Sequence, residues 1–137
     1  MKTPRHQPRV ELRVELPATL AAIESFCADF QRWRAAACAE LDGFSSELLL
    51  REALTNAVVH GVDQDPNERV SCVLRVKRGR VIMAIQDRGK GFDWRGSWHR
   101  MAQPDDTHGR GMEILKRYAS AVRFNPSGNS VTLIKRF

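Results

Sequence analysis

The sequence predicts an α+β fold, a two-layer sandwich in which a mixed, mostly antiparallel sheet is covered on one face by about three helices. Short segments alternate apolar and polar residues at the period of two that is typical of half-buried strands. Longer segments repeat apolar residues every three or four positions, which indicates amphipathic helices. The predicted order is strand, helix, helix, strand, strand, helix, strand, strand, and it makes most neighbours in the sheet antiparallel.

The composition fits a single soluble globular domain, because the chain has 137 residues of which 42% are hydrophobic and 28% are charged. We expect residues 10–137 to form this domain and residues 1–9 to be a flexible tail. The three cysteines lack C-x-x-C spacing and are expected to be free thiols. No apolar stretch approaches the roughly 20 residues that cross a bilayer, and no signal-peptide pattern follows the basic N-terminus. We therefore expect a cytoplasmic protein with no membrane partner.

The net charge of +6 is spread along the chain rather than gathered in one block. A basic excess could favour nucleic acid or an acidic protein, but no recognised nucleic-acid-binding motif accompanies the charge. The sequence therefore predicts no direct contact with nucleic acid.

The first two elements are a strand and a long helix. Residues 10–16 alternate apolar and charged side chains, which predicts a strand with one buried face. Pro17 suits the first turn of a helix, and residues 18–41 carry apolar side chains at helical spacing. Residues 42–43 close this predicted helix.

A second helix follows at residues 47–60. Ser45 or Ser46 can cap its N-terminus, and Gly61 ends it. The predicted hairpin that comes next joins strands at residues 70–76 and 81–85.

Residues 87–108 show neither period and form a loop that is longer than the roughly 12–15 residues usual in compact domains. A third helix is predicted at residues 111–119. The chain then closes with a hairpin of residues 121–125 and 130–137.

The second helix carries polar side chains on one edge. Glu52, Asn56 and His60 are four residues apart, so at about 3.6 residues per turn they line one side. Burying a carboxylate and an amide is unfavourable unless each has a partner. One interpretation pairs Glu52 with a basic residue and Asn56 with a backbone group, and the other gives them a cation or a ligand. His60 is interpreted as a core histidine that caps the helix, and the alternative is a ligand-binding role.

A glycine loop directly follows the predicted strand 81–85. Asp87, Gly89 and Gly91 form a D-x-G-x-G pattern, in which small residues let the backbone approach a flat ligand. The Asp87 carboxylate could accept hydrogen bonds from an exocyclic amine such as that of adenine. The alternative is a plain glycine turn after a strand.

A second glycine loop, Gly109-Arg110-Gly111-Met112, opens the third predicted helix. Unpaired backbone N–H groups at a helix N-terminus suit an anion such as phosphate, and Arg110 could add positive charge. A plain turn is again the alternative.

The three patterns, in this order, resemble those of the GHKL (Bergerat-fold) ATP-binding superfamily. The residues that carry the likeness run from Glu52 to Gly61 as EALTNAVVHG, from Asp87 to Asp93 as DRGKGFD, and from Gly109 to Leu115 as GRGMEIL. The wording EAxxNAxxHG is most similar to that of the small anti-sigma regulatory serine/threonine kinases. The resemblance covers roughly residues 10–137.

This resemblance implies roles for individual residues. It implies that Glu52 is the catalytic base, that Asn56 binds a Mg²⁺ ion bridging the phosphates of ATP, and that Asp87 binds the adenine amine. It also implies a group of further cofactor-binding residues, namely Gly89, Gly91, Gly109, Arg110, Gly111 and Met112. Residues 93–108 would form a lid over the nucleotide. Where relatives commonly carry a threonine before the last strand, this chain has Asn129, which can also form hydrogen bonds.

The resemblance implies an ATP-dependent serine/threonine protein kinase that is also an anti-sigma factor and phosphorylates a small anti-sigma-factor antagonist. The other partner would be a sigma factor or another regulatory protein, and relatives of this type often form homodimers. The alternative is a regulatory module that binds nucleotide and partner with little or no kinase activity.

Overall fold

The structure is a computed structural model that describes residues 10–91, 93–99 and 110–137. These residues form five strands and the helices that cover them. The strands are β1 (Glu11–Pro17), β2 (Arg69–Lys77), β3 (Arg80–Gln86), β4 (Ala121–Phe124) and β5 (Ser130–Arg136). The helices are α1 (Leu20–Ala37), α2 (Gly43–Thr55), α3 (Trp94–His99) and α4 (Arg110–Tyr118), with a π-helical turn at Asn56–Gly61 directly after α2.

The strands form one sheet in the order β1-β2-β3-β5-β4, and each neighbouring pair among the described residues is antiparallel. The register sets one row of helix-facing side chains across the sheet, consisting of Val14, Cys72, Ile85, Val131 and Phe124. The predicted α+β class is confirmed.

The core lies between this face of the sheet and the inner sides of α1 and α2. Helix α1 contributes Ile23, Phe26, Cys27, Phe30 and Trp33, and α2 contributes mainly Leu49, Leu50, Ala53 and Leu54. Full burial of one such Leu or Phe side chain stabilises the fold by about 1.5–3 kcal/mol. The opposite face of the sheet carries the charged side chains of the alternating pattern, such as those of Arg13 and Arg75, which are exposed.

Helix α1 is shorter than the predicted 18–41. It begins at Leu20 because the Thr19 side chain accepts the Ala22 N–H at 3.1 Å and caps the helix. It ends at Ala37 because Cys38 leaves the helical conformation. The Arg34 guanidinium donates to the Leu41 carbonyl at 2.9 Å, which holds the turn that follows.

Helix α2 corrects two predictions. Its cap is Asp42, whose carboxylate accepts the Ser45 N–H at 2.9 Å, so the helix starts at Gly43 and the predicted serine caps lie inside it. Its α-helical part ends at Thr55, and the π-helical turn that follows is marked by the Val62 N–H bonded to the Ala57 carbonyl, five residues back, at 3.1 Å. The 3.6-residue pattern used for the prediction does not distinguish these two helical forms.

The described part of the predicted loop 87–108 contains a short helix, α3. The Trp94 ring stacks on Phe124 with ring centres 5.0 Å apart, and its Nε1 donates to the Asn125 carbonyl at 3.0 Å, which fixes α3 against the end of the β4–β5 hairpin. Most of the predicted lid, residues 100–108, lies outside the described residues, as does the predicted tail, residues 1–9. None of the described helices is long and apolar enough to cross a membrane.

Candidate functional site

A narrow cleft opens between the end of α2 and the β3–β5 side of the sheet, with a volume of about 10 Å³, roughly the space that one water molecule occupies. It is lined by Ala53, Asn56, Ala57, Ile85, Asp87, Phe124, Gly128, Asn129, Ser130 and Val131. The structure therefore brings together Asn56 and Asp87, which the sequence analysis assigned to one site from two separate patterns. Its helical wall consists of Asn56 and the small side chains of Ala53 and Ala57.

Asp87 lies at the end of β3, where its backbone N–H donates to the Asn129 carbonyl at 2.9 Å. Its side chain is only 3% exposed, and one carboxylate oxygen, Oδ1, accepts the Gly89 N–H at 2.7 Å. Burial raises the pKa of this carboxyl above its ordinary value, and the Gly89 hydrogen bond lowers it in part. The result is a buried acceptor that lines the cleft.

Two glycines make room for this carboxylate. A Cβ atom added to Gly61 would lie 2.3 Å from Oδ2 of Asp87, and one added to Gly89 would lie 1.8 Å from the Gly61 carbonyl oxygen. Neither position tolerates a side chain without displacing its neighbours. Gly89 was predicted to belong to the site, whereas Gly61 was interpreted only as the end of a helix. The contact between Gly61 and Asp87 joins distant parts of the sequence, so no local pattern indicates it.

The loop after Asp87 packs against the β4–β5 turn. Gly91 has a φ of +81°, which favours glycine, and a Cβ atom added there would lie 1.8 Å from the Ser127 carbonyl oxygen. The Asn129 side chain donates from Nδ2 to the Gly89 carbonyl at 3.4 Å and accepts at Oδ1 from the Ser127 hydroxyl at 3.0 Å. Asn129 therefore holds the two loops together at the edge of the cleft.

Asn56 is half-buried at the first position of the π-helical turn. Turns of this kind inside helices occur frequently at functional sites. Among the residues that the structure describes, no three His, Cys, Asp or Glu side chains form a group that could hold a metal ion. A metal at Asn56 would therefore take most of its ligands from a bound molecule. The prediction of a core position for His60 is wrong, because its side chain is exposed.

Glu52, one α-helical turn before Asn56, is half-buried and faces the start of α4. A Cβ atom added to Gly111 would lie 2.5 Å from its Oε2, so the carboxylate lies against the backbone of that helix. Burial raises the pKa of Glu52, and the nearby positive charge of Arg51 opposes this shift. Glu52 is not one of the residues that line the cleft.

The predicted phosphate loop is described only in part. Gly109 lies outside the described residues, and Arg110 is the first residue of α4. Met112 is 5% exposed and belongs to the hydrophobic core, so only its backbone could reach a ligand. The assignment of this loop to phosphate remains a prediction.

The sequence of this chain matches a known protein family. The sequence model of the family described as "Histidine kinase-like ATPase domain" matches residues 16–135, and the chain is therefore a member of this family. The resemblance noted from the three sequence patterns is confirmed.

Several proteins with similar sequences are anti-sigma F factors. The chain is 39% identical over 63 residues to the anti-sigma F factor of Geobacillus stearothermophilus, an alignment that covers 42% of this chain and 43% of that protein. The anti-sigma F factor of Geobacillus kaustophilus strain HTA426 gives the same identity and coverage. That of Shouchella clausii strain KSM-K16 is 36% identical over 59 residues, which cover 39% of this chain and 40% of the relative. The matched segments thus span less than half the length of these proteins.

Replacing Asp87 by asparagine should raise the thermal stability of the protein at neutral pH. The amide removes the free-energy penalty of burying an ionised carboxylate and keeps an oxygen that can accept the Gly89 N–H. The pKa of Asp87 is raised in the folded state, so this carboxyl favours folding when it is protonated. Its contribution to the free energy of unfolding is fully present below its unfolded pKa and is lost as pH rises through its folded pKa. The Tm difference should therefore widen from acid to neutral pH in a series of thermal melts. An unchanged or lower Tm for Asp87→Asn at neutral pH would contradict this account of the buried carboxylate.

Proposed function

We propose that this protein is an ATP-dependent serine/threonine protein kinase and anti-sigma factor that phosphorylates a small anti-sigma-factor antagonist in the cytoplasm. The observation that carries the proposal is the buried Asp87 carboxylate at the cleft, enclosed by Gly61 and Gly89. The likeness to anti-sigma F factors supports the regulatory role and the choice of partners, an antagonist and a sigma factor.

The residues that line the cleft suit an adenine base in their chemistry, and the base would have to widen the cleft to enter it. Ala53, Ile85 and Val131 give it apolar walls for a flat ring, and Asp87 supplies the acceptor for an exocyclic amine. Gly91, with its positive φ, lets the loop after Asp87 pack against Ser127 at the edge of the cleft. These features fit recognition of ATP through its base.

The site also fits Mg²⁺ held jointly by protein and nucleotide. Asn56 offers one side-chain oxygen at the cleft, and Mg²⁺ usually keeps several waters and binds through substrate phosphates rather than through a cage of protein ligands. When bound, Mg²⁺ would neutralise charge on the phosphates. Gly109, Arg110, Gly111 and Met112 would lie along those phosphates.

Glu52 is the group that would accept a proton in the reaction. Its carboxylate lies one helical turn before Asn56 and its pKa is raised by burial, which brings it closer to the range in which a carboxylate works as a general base. Its place beside Gly111 puts it at the start of α4, the helix that the predicted phosphate loop opens. Glu52 would take the hydroxyl proton of the serine or threonine that receives the phosphoryl group.

The protein should bind ATP more tightly than GTP. Asp87 can accept a hydrogen bond from the amine of adenine, but it would face the carbonyl oxygen of guanine at the same place, and two acceptors repel each other. Displacement of a fluorescent ATP analogue by each nucleotide measures the preference. Equal displacement by ATP and GTP would contradict the role given to Asp87.

A second function, a nucleotide-dependent binding module without kinase activity, is favoured by one observation. Glu52 contacts the start of α4 and does not line the cleft, so its role can also be to position that helix. The two functions differ in a transfer assay with ATP labelled on its γ-phosphate and a panel of small antagonist proteins. Label on a serine or threonine of an antagonist supports the kinase. Binding of ATP and antagonist without transfer supports the module.

A further inference from the structure

The open face of the sheet collects basic residues that are scattered in the sequence. The registers place on this face the odd-numbered residues of β1, β2 and β4 and the even-numbered residues of β3 and β5. The charged side chains of these strand residues are those of Arg13, Arg69, Arg75, Lys77, Arg80, Arg123 and Arg136 and of Glu11 and Glu15. Seven cations against two carboxylates make this one surface strongly basic.

Three of these cations lie side by side at one end of the sheet. Lys77 on β2 is opposite Arg80 on β3, and Arg80 is opposite Arg136 on β5. We call these three residues the cationic row. Like charges that face each other across neighbouring strands are unfavourable. Within the described residues, none of the three side chains forms an ion pair or a hydrogen bond that would offset this repulsion.

The two acidic residues of the open face do not neutralise the cationic row. Both lie on β1, at the edge of the sheet. The Glu11 carboxylate is ion-paired with Arg13 at 2.7 Å and with Arg75 at 3.2 Å. The Glu15 carboxylate accepts a hydrogen bond from the Ser71 hydroxyl at 3.2 Å. An anion from another molecule can therefore offset the repulsion within the row.

An apolar strip borders the cationic row. Ile82 and Ile134 are opposite each other, two residues along β3 and β5 from Arg80 and Arg136. Both isoleucine side chains are half-buried. Alternate residues of a strand are about 7 Å apart, which is less than the roughly 10 Å diameter of a helix. One helix of a partner can therefore contact the row and the strip together.

We propose that this surface docks an acidic amphipathic helix of a partner protein, with its carboxylates on the cationic row and its apolar side chains on Ile82 and Ile134. Neighbouring strands are about 4.8 Å apart, so the row spans about 10 Å. Helical residues i, i+4 and i+7 share one face and also span about 10 Å, since each residue adds about 1.5 Å. Three carboxylates at those positions match the three cations when the helix axis crosses the strands.

Other occupants fit this surface less well. A second copy of the chain would bring the same cations against each other. A single-stranded nucleic acid would find no aromatic side chain for its bases to stack on among the open-face residues of the five strands.

The surface is independent of the proposed kinase function. None of its residues lines the nucleotide cleft. The length of β3 separates Arg80 from Asp87 by roughly 20 Å.

Fluorescence anisotropy with a labelled helical peptide tests the docking on the full chain. The aligned peptide carries glutamates at i, i+4 and i+7 beside a stripe of leucines. A second peptide has the same composition but spreads the glutamates around the helix. The parent should bind the aligned peptide about 10-fold more tightly at low salt, and this affinity should fall as salt is added. Equal binding of the two peptides would overturn the proposal.

Charge reversal tests the place of docking. Arg80→Glu/Arg136→Glu should weaken binding of the aligned peptide by about 10-fold, because two attractions become repulsions. Arg13→Glu/Arg123→Glu is the matched control, since it makes the same change in net charge on the same face but on the two edge strands, and it should lose much less affinity. Equal losses in the two variants would contradict the proposal. So would tighter binding of duplex DNA than of the aligned peptide, which would assign the surface to nucleic acid.

A thermal melt distinguishes a binding role of Arg80 from a structural one. Arg80→Gln removes both like-charge pairs of the cationic row, so its Tm should rise by about 1–4 °C. The same variant should bind the aligned peptide more weakly than the parent does. A lower Tm together with parent-like peptide affinity would make Arg80 a structural residue and overturn the proposal.

Discussion

Replacement of Glu52 by glutamine should lower the rate of phosphoryl transfer to the antagonist by about 10²–10⁴-fold, the usual contribution of a general base. Glutamine keeps the shape of the side chain and most of its hydrogen bonding but cannot accept the proton of the attacking hydroxyl. Binding of Mg·ATP and of the antagonist should persist, because Glu52 does not line the cleft. The variant would then act as a nucleotide-dependent binder.

The measurement is transfer of labelled phosphate, with nucleotide affinity determined on the same samples. Glu47→Gln is the matched control, because it makes the same change on the same helix, where Glu47 pairs with Gln31 and Arg51 rather than with α4. The parent should also lose activity as pH falls through the raised pKa of Glu52, since only the ionised carboxylate is a base. Equal transfer rates for Glu52→Gln and the parent would show that Glu52 is not the base.

Gly61→Ala should weaken ATP binding by about 10- to 100-fold, which corresponds to the loss of one hydrogen bond to a charged group. The added Cβ would lie 2.3 Å from Oδ2 of Asp87, so the carboxylate must move away from the position in which it lines the cleft. We also expect a loss of about 1–3 kcal/mol in the free energy of unfolding, as is typical of an overfilled interior.

The control for this variant is Gly43→Ala, at the start of α2. The nearest neighbours of a Cβ there would be the side-chain ends of Gln31 and Arg34, 3.0–3.1 Å away, so the change perturbs packing at the other end of α2 and leaves the residues of the cleft untouched. Calorimetric titration with ATP and chemical denaturation measure the two effects. If Gly61→Ala binds ATP as tightly as the parent does, the position of the Asp87 carboxylate does not affect nucleotide binding.

Features set by neighbouring residues could be predicted from the sequence. The alternation in residues 70–76 and 81–85 predicted the β2–β3 hairpin, which the structure confirms. Helix α4 lies within one residue of its predicted bounds. The cap of α2 was missed because Asp42 was interpreted as the end of the preceding helix, although Asp is also a good N-cap and accepts the Ser45 N–H.

Features set by contacts between distant residues could not be predicted from the sequence. The contact between Gly61 and Asp87 spans the end of a helix and the end of a strand, and no local pattern reveals it. The same holds for Trp94 on Phe124, which orders α3 inside a segment predicted to be a loop. The π-helical turn at Asn56 also escaped prediction, since its helical spacing matches that of an α-helix too closely over six residues. The family patterns predicted Asn56 and Asp87, two of the residues that line the cleft, but neither the apolar side chains around them nor the packing that shapes the cleft.

Calorimetric titration of the parent and of Asn56→Ala with ATP, in the presence of Mg²⁺ and then of a chelator, tests the nucleotide site most directly. The parent should bind Mg·ATP and lose affinity when the metal is removed, because Asn56 would link the protein to the metal. Asn56→Ala should bind weakly in both conditions, and Asn67→Ala, an exposed amide outside the cleft, should match the parent. Failure of the parent to bind ATP, or equal Mg²⁺-dependent affinity in the parent and Asn56→Ala, would contradict the site.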